Sequence, residues 1–181
     1  MEVLENIYNK RCSIPSDINE HLPTLKKYAE ECDHITEMGV RWVVSTFAFM
    51  MGKPKKLISI DIDPVEKHGI QTIDLISLAK TAGVEFEFVL GDTTEIEIEE
   101  TDFLFIDTLH TYTQLKKELA LHPSKVKKYI GFHDTTTFAK VGEYKEVGLW
   151  PAIEEFLSSN PEWVIAEKFE NNNGLTILKR I

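Results

Sequence analysis

The sequence predicts a doubly wound α/β fold: a mostly parallel sheet with helices on both faces and an antiparallel hairpin at its C-terminal end. Two observations carry this expectation. Short apolar runs alternate with segments of helical spacing along most of the chain, which is the order that βα units and a parallel sheet require. The last two apolar runs are joined through Asn171-Asn172-Asn173-Gly174, a hairpin signal rather than a crossover.

The elements follow in order. Leu25 to Glu31 reads as a helix with Pro23 near its start, inside a helical N-terminal segment 1–33. A single domain over 34–181 follows. His34 to Glu37 is a short strand and Trp42 to Met51 a buried helix, with Trp42, Phe47 and Phe49 expected in the core. Leu57 to Ile60 is a strand running into acids. Ile70 to Ala82 places Leu75, Leu78, Ala79 and Ala82 on one helical face, and Gly83 stops it. Glu85 to Leu90 begins by alternating acid and apolar, a strand with one wet face. Phe103 to Ile106 is continuously apolar, as in a strand covered on both sides. Thr113 to Leu121 is a helix ended by Pro123, and Tyr129 to Phe132 another strand. Pro151 to Leu157 is a helix opened by proline, and Trp163 to Lys168 and Leu175 to Lys179 form the hairpin.

Length and charge bound the function. At 181 residues the chain fits one ordinary domain. Its formal charge of −10 opposes nucleic acid or an anionic membrane surface as partner, because both require a cationic footprint. Cys12 and Cys32 make neither a disulfide framework nor a zinc site. The longest apolar stretch, Trp42 to Met51, is far short of the ~20 residues of a membrane helix. With no signal-peptide pattern at Met1 to Glu20, the expectation is a cytoplasmic protein with reduced thiols. Whether it forms a homo-oligomer stays open.

A parallel sheet binds ligands beyond the carboxyl ends of its strands, near the switch in strand order. Every such end here carries an acid: Glu37, Asp61 with Asp63, Asp92, Asp107 and Asp134. One acid after a strand is an ordinary cap or turn residue. Five on one rim repel one another and call for hydroxyls, an amino group or a cation.

These residues resemble the class I S-adenosylmethionine-dependent methyltransferases, most nearly the small branch of macrolide-sugar O-methyltransferases and cephalosporin-hydroxylase-type proteins. The first loop, Glu37-Met38-Gly39-Val40-Arg41-Trp42-Val43-Val44-Ser45, is similar to Glu-x-Gly-x-x-x-Gly-x-Ser, with Val43 in place of the second glycine. Asp107, His110 and Tyr112 match Asp-x-x-His-x-Tyr, and His133-Asp134 matches the His-Asp or Glu-Asp that follows the fifth strand. The resemblance spans roughly residues 30 to 181.

The resemblance implies S-adenosylmethionine bound by Glu37, Gly39, Ser45, Asp61 and Asp92, with Glu37 near the ammonium, Asp61 on the ribose and Asp92 on the adenine amino group. It implies methyl transfer to a hydroxyl of a small molecule or sugar, with His110 as base beside Asp107. It also implies a divalent cation, Mg²⁺ or another, on Asp107, His133 and Asp134. Two carboxylates suit Mg²⁺, and a histidine tilts the set toward Mn²⁺, Fe²⁺ or Zn²⁺. Simpler roles stand beside these. His110 could merely cap the next helix, and the long Thr135 to Gly148 loop is either a substrate cover or a surface insertion. His21, His34, His68 and His122 receive no role, and Glu95 to Glu100 reads as solvated loop. A non-catalytic cofactor- or ligand-binding domain of the same fold is the alternative. A nicotinamide oxidoreductase is disfavoured, since Gly39-Val40-Arg41 lacks the second glycine of Gly-x-Gly-x-x-Gly.

Overall fold

The computed structural model describes residues 1–181. Thirteen main elements follow in chain order: α1 (Glu2–Ser13), α2 (Leu22–Ala29), β1 (His34–Met38), α3 (Val44–Gly52), β2 (Lys56–Asp61), α4 (Thr72–Thr81), β3 (Glu85–Leu90), β4 (Thr101–Ile106), α5 (Tyr112–Leu121), β5 (Val126–His133), α6 (Trp150–Ser159), β6 (Trp163–Phe169) and β7 (Leu175–Arg180). They build one sheet of seven strands in the order β3-β2-β1-β4-β5-β7-β6. The first five strands in that row are parallel, and β7 pairs antiparallel with both β5 and β6. The doubly wound sheet with its terminal hairpin is therefore present.

Side chains on a strand alternate between faces, so a central strand must be apolar throughout. β4 meets this with all six residues buried. Phe103 and Phe105 join the core beneath α1, α2, α3 and α4, while Leu104 and Ile106 join the core beneath α5 and α6. In the first layer Phe49 meets Phe103 and Phe105 edge-on at 5.7 and 5.4 Å, the favoured aromatic arrangement. The N-terminal segment belongs to this layer. Leu4, Tyr8, Leu22 and Leu25 are buried in it, although α1 shows little amphipathic spacing in sequence.

Several expectations shift. The helix expected from Trp42 begins at Val44, because Arg41 and Val43 adopt left-handed backbone (φ 42° and 61°) and cannot belong to it. Trp42 consequently lies on the surface, 46% exposed under the Arg41 guanidinium, while Phe47 and Phe49 are core. Within 95–100, Ile98 is buried, and Glu97, Glu99 and Glu100 pair with Lys125, Lys56 and Lys127. Exposed pairs of this kind contribute little to stability. No helix is long and apolar enough to cross a membrane.

The strand order reverses between β1 and β4. The chain leaves β1 and β2 toward one side and β4 and β5 toward the other, so a crevice opens at their carboxyl ends.

Candidate active site

A cavity of about 550 Å³ occupies this crevice. Its wall includes Gly39 to Trp42, Ser45, Asp61 to Asp63 and Asp92 on one side, and Asp107 to His110, Asp134 and Glu143 on the other.

The first side is built around Asp61. Its Oδ2 accepts the backbone N–H groups of Val40 and Arg41 at 2.7 and 3.0 Å, and its Oδ1 accepts that of Asp63 at 2.9 Å. The carboxylate ending β2 thus holds the loop leaving β1 in place. Gly39 sits at φ 83°, and a Cβ there would lie 1.9 Å from the Asp107 carbonyl oxygen, so only glycine lets this loop cross the end of β4. Val43 takes left-handed backbone where the resembled family has glycine. A β-branched residue in that region is a strained outlier, so the loop keeps a glycine-like path at an energetic cost.

Glu37 does not line the cavity. It is fully buried and accepts hydrogen bonds from Ser45, Thr46 and Ser59 at 2.5, 2.7 and 2.6 Å. Ser45 stands at the cavity wall and joins Glu37 to it. Burial pushes the Glu37 carboxyl up to about 7, against the opposing pull of the three hydroxyls. Asp92 lines the cavity with one oxygen engaged by the Thr94 N–H and hydroxyl, both at 2.8 Å, which lowers its pKa.

The second side is a charge cluster. His110 presents Nε2 to Asp134 at 2.9 Å and to Asp107 at 3.3 Å, and Nδ1 to Glu143 at 2.6 Å. Its ring stacks on Phe138 at 4.6 Å, nearly parallel. Thr111 caps α5, its hydroxyl accepting from the Gln114 N–H, so His110 is free of that task. Burial alone would lower the imidazole pKa, but Asp107 and Asp134 outweigh it and push the ring up to about 10. An imidazole free of such neighbours titrates near neutrality. Enclosed in this way the ring is an imidazolium, with no lone pair until its carboxylate neighbours are compensated.

His133 departs further from expectation. It is 1% exposed, and its Nε2 faces the carbonyl oxygens of Asp17 and Asn172 at 3.1 and 3.3 Å. Its Nδ1 faces Asp107 and Asp134 at 3.4 and 3.2 Å. Acceptors surround both nitrogens, so both carry protons. Burial opposes that charge, yet Asp107 and Asp134 push the ring up to about 11. The nitrogens of His133 are not among the ligand atoms that converge within 4.8 Å of one another. His133 instead stands behind the two carboxylates and offsets their charge. Burial would raise both Asp107 and Asp134, but the two imidazoles hold them below the usual carboxylate range.

The residues that do converge are Asp107, His110 and Asp134, each offering a ligand atom within 4.8 Å of the others. Asp134 Oδ1 is buried with no hydrogen-bond partner. An orphaned carboxylate oxygen inside an acidic cluster is costly unless something positive meets it, and the two facing carboxylates fit a divalent cation.

Sequence reasoning missed several neighbours. His68 lines the cavity opposite Trp42, at 5.9 Å between rings, and His21 meets His133 edge-on at 5.9 Å. Asp17 and Ile18 close one end of the cavity. Glu118 is fully buried and accepts from Thr93, Thr108 and Gln114, all wall residues, at 2.5, 2.9 and 2.9 Å. Its signal was an acid on the α5 face that also carries Leu115 and Leu119 inward.

No protein-family model matches the chain, and no curated protein matches it in sequence. Solved structures do match it. An O-methyltransferase from Bacillus cereus in complex with SAH shares 16% identity, with 100% of this chain and 91% of that chain covered and a TM-score of 0.64. The SAH-bound Podospora anserina methyltransferase PaMTH1 shares 14% identity, with 100% and 88% covered and a TM-score of 0.59. A ribosomal protein L11 methylase from Lactobacillus delbrueckii subsp. bulgaricus shares 13% identity, with 90% and 79% covered and a TM-score of 0.60. At these identities the likeness establishes the fold alone: this chain shares the Rossmann-like architecture of these solved methyltransferases.

Proposed function

We propose that the chain is an S-adenosylmethionine-dependent O-methyltransferase acting on a hydroxyl of a small molecule or sugar, with a divalent cation assisting. One observation carries the reading: a single crevice at the strand-order switch joins a glycine-bent loop held by Asp61 to the Asp107–His110–Asp134 cluster. The fold of the SAH-bound neighbours supports it, SAH being what S-adenosylmethionine becomes after giving up its methyl group.

In this reading Gly39 lets the cofactor approach the loop backbone closely, and the free N–H groups at the start of α3 receive its amino-acid end. Asp61 and Asp92 keep lone pairs for ribose hydroxyls and the adenine amino group. Ser45 reaches the same wall, and Glu37 acts from behind it as anchor of the α3 start. Bound cofactor supplies a sulfonium-activated methyl group. Asp107 and Asp134 would hold the cation, which would compensate the charge that keeps His110 protonated and lower the pKa of an acceptor hydroxyl. His110 Nε2 would then be placed to take the hydroxyl proton as the methyl group passes to that oxygen, the electron pair of its former bond remaining on sulfur. Gly39 and the loop around it fix the donor against that oxygen, the positioning on which such transfers depend.

Titration calorimetry with S-adenosylmethionine tests the reading. A one-to-one heat is expected, and no heat at millimolar cofactor would refute it. Given binding, His110→Ala should cut turnover far more than it weakens cofactor affinity. Binding without turnover on any polyhydroxylated acceptor would point instead to a cofactor-binding domain.

A further inference from the structure

We propose that Glu143 is a positioning residue for His110, and that the loop between β5 and α6 is part of the active site through it. The inference rests on the proposed function for its purpose, and on geometry alone for the contact. The loop docks onto His110 from several directions. Glu143 Oε1 lies 2.6 Å from His110 Nδ1, and the Glu143 N–H donates to the His110 carbonyl at 3.1 Å. The Tyr112 N–H donates to the Val147 carbonyl at 2.8 Å, and Phe138 covers the face of the ring. At Gly142 a Cβ would fall 2.2 Å from the His110 carbonyl oxygen, so the loop approaches as closely as backbone allows.

The loop tip is shaped to deliver this carboxylate. Val141 and Val147 bridge antiparallel, and the Glu146 N–H donates to the Glu143 carbonyl at 3.0 Å. Tyr144 and Lys145 between them both have positive φ, 55° and 64°. Two successive non-glycine residues in that region are unfavourable, and such strain persists only where surrounding contacts enforce it. Here the closure of the turn enforces it, through the Val141–Val147 bridge and the Gly142 N–H donating to the Glu146 carbonyl at 2.9 Å, with Gly142 and Glu143 seated on the His110 backbone.

A carboxylate on Nδ1 settles which nitrogen works. It keeps Nδ1 protonated and turns Nε2 toward Asp107, Asp134 and the cavity. A histidine that serves as base or ligand through one nitrogen commonly needs such a partner on the other. Without Glu143 the ring could swing off Phe138 or present the wrong tautomer.

The test compares wild type, Glu143→Ala and Glu143→Gln. Nitrogen-15 imidazole spectra of the metal-free protein should show a strongly hydrogen-bonded His110 Nδ1–H in wild type. That signal should vanish in Glu143→Ala and be retained in weaker form in Glu143→Gln, whose amide oxygen still accepts. Turnover should fall by about 10–100-fold in Glu143→Ala, with recovery in Glu143→Gln and KM for S-adenosylmethionine within about twofold of wild type. An unchanged His110 spectrum in Glu143→Ala overturns the assignment, as does an equal loss in both variants. The spectra decide the contact even if wild type binds no cofactor, an outcome that would sink only the proposed function.

Discussion

The two sides of the crevice use the same residue types for opposite purposes. On the β1–β2 side, carboxylates hold structure: Asp61 takes backbone N–H groups, Asp92 takes the Thr94 turn, and Glu37 takes three buried hydroxyls. On the β4–β5 side, Asp107, Asp134 and Glu143 are satisfied mainly by two imidazoliums. The difference is one of exchangeability. A carboxylate bonded to its own backbone cannot change partners without moving a loop. One facing a protonated histidine can trade that proton for a cation or a substrate hydroxyl while the backbone stays still. The first side is a mould, and the second is where charge can move.

Breaking the second side should have the largest effect on stability. Asp134→Ala leaves the buried His133 cation with Asp107 alone, and removing one partner of a buried pair costs about 3–5 kcal/mol. Urea unfolding should show the loss; a change under about 1 kcal/mol would mean that His133 is neutral.

Next comes the pH response of Glu37. Its folded pKa, about 7, lies above the ordinary 4.5, so its contribution is fully present below about pH 4.5 and lost as pH rises through 7. Glu37→Gln should therefore gain stability relative to wild type across that window, by on the order of 3 kcal/mol. Parallel stability–pH curves for the two proteins would show that the hydroxyls, not burial, set its charge.

Val43 gives a smaller contrast. Glycine in place of a non-glycine left-handed residue relieves about 1 kcal/mol, so Val43→Gly should be at least as stable as Val43→Ala although it buries one carbon fewer. A clearly less stable Val43→Gly would show that the strain is smaller than the loss of that carbon. Smallest is Lys145→Gly in the Glu143 turn, expected to raise stability by about 0.5–1 kcal/mol in thermal unfolding without altering the His110 spectra.

The architecture was legible because sheet and helix periods differ and because the Asn171–Gly174 turn announces the hairpin. The rim was legible because acids follow each parallel strand. Which carboxylates face the cavity was not, since strand ends do not reveal who lies behind whom: Glu37 and Ser45 sit one behind the other. His110 and His133 are equally polar in sequence; the Asp17 and Asn172 carbonyls behind one, and Glu143 with Phe138 around the other, separate their roles. Glu143 is 33 residues from His110 and belongs to no recurring spacing. Trp42 looked like core because its run is apolar, and two left-handed residues turned it outward.

The central claim, that one side moulds the cofactor and the other manages charge, is tested most directly by a crystal soaked with S-adenosylmethionine and Mn²⁺. The account predicts an anomalous peak bound by Asp107 and Asp134, with adenosine along Asp61 and Asp92 and the sulfonium methyl group facing the His110 side. A manganese ion held by His133, or a cofactor lying outside the Gly39–Val43 loop, would contradict it.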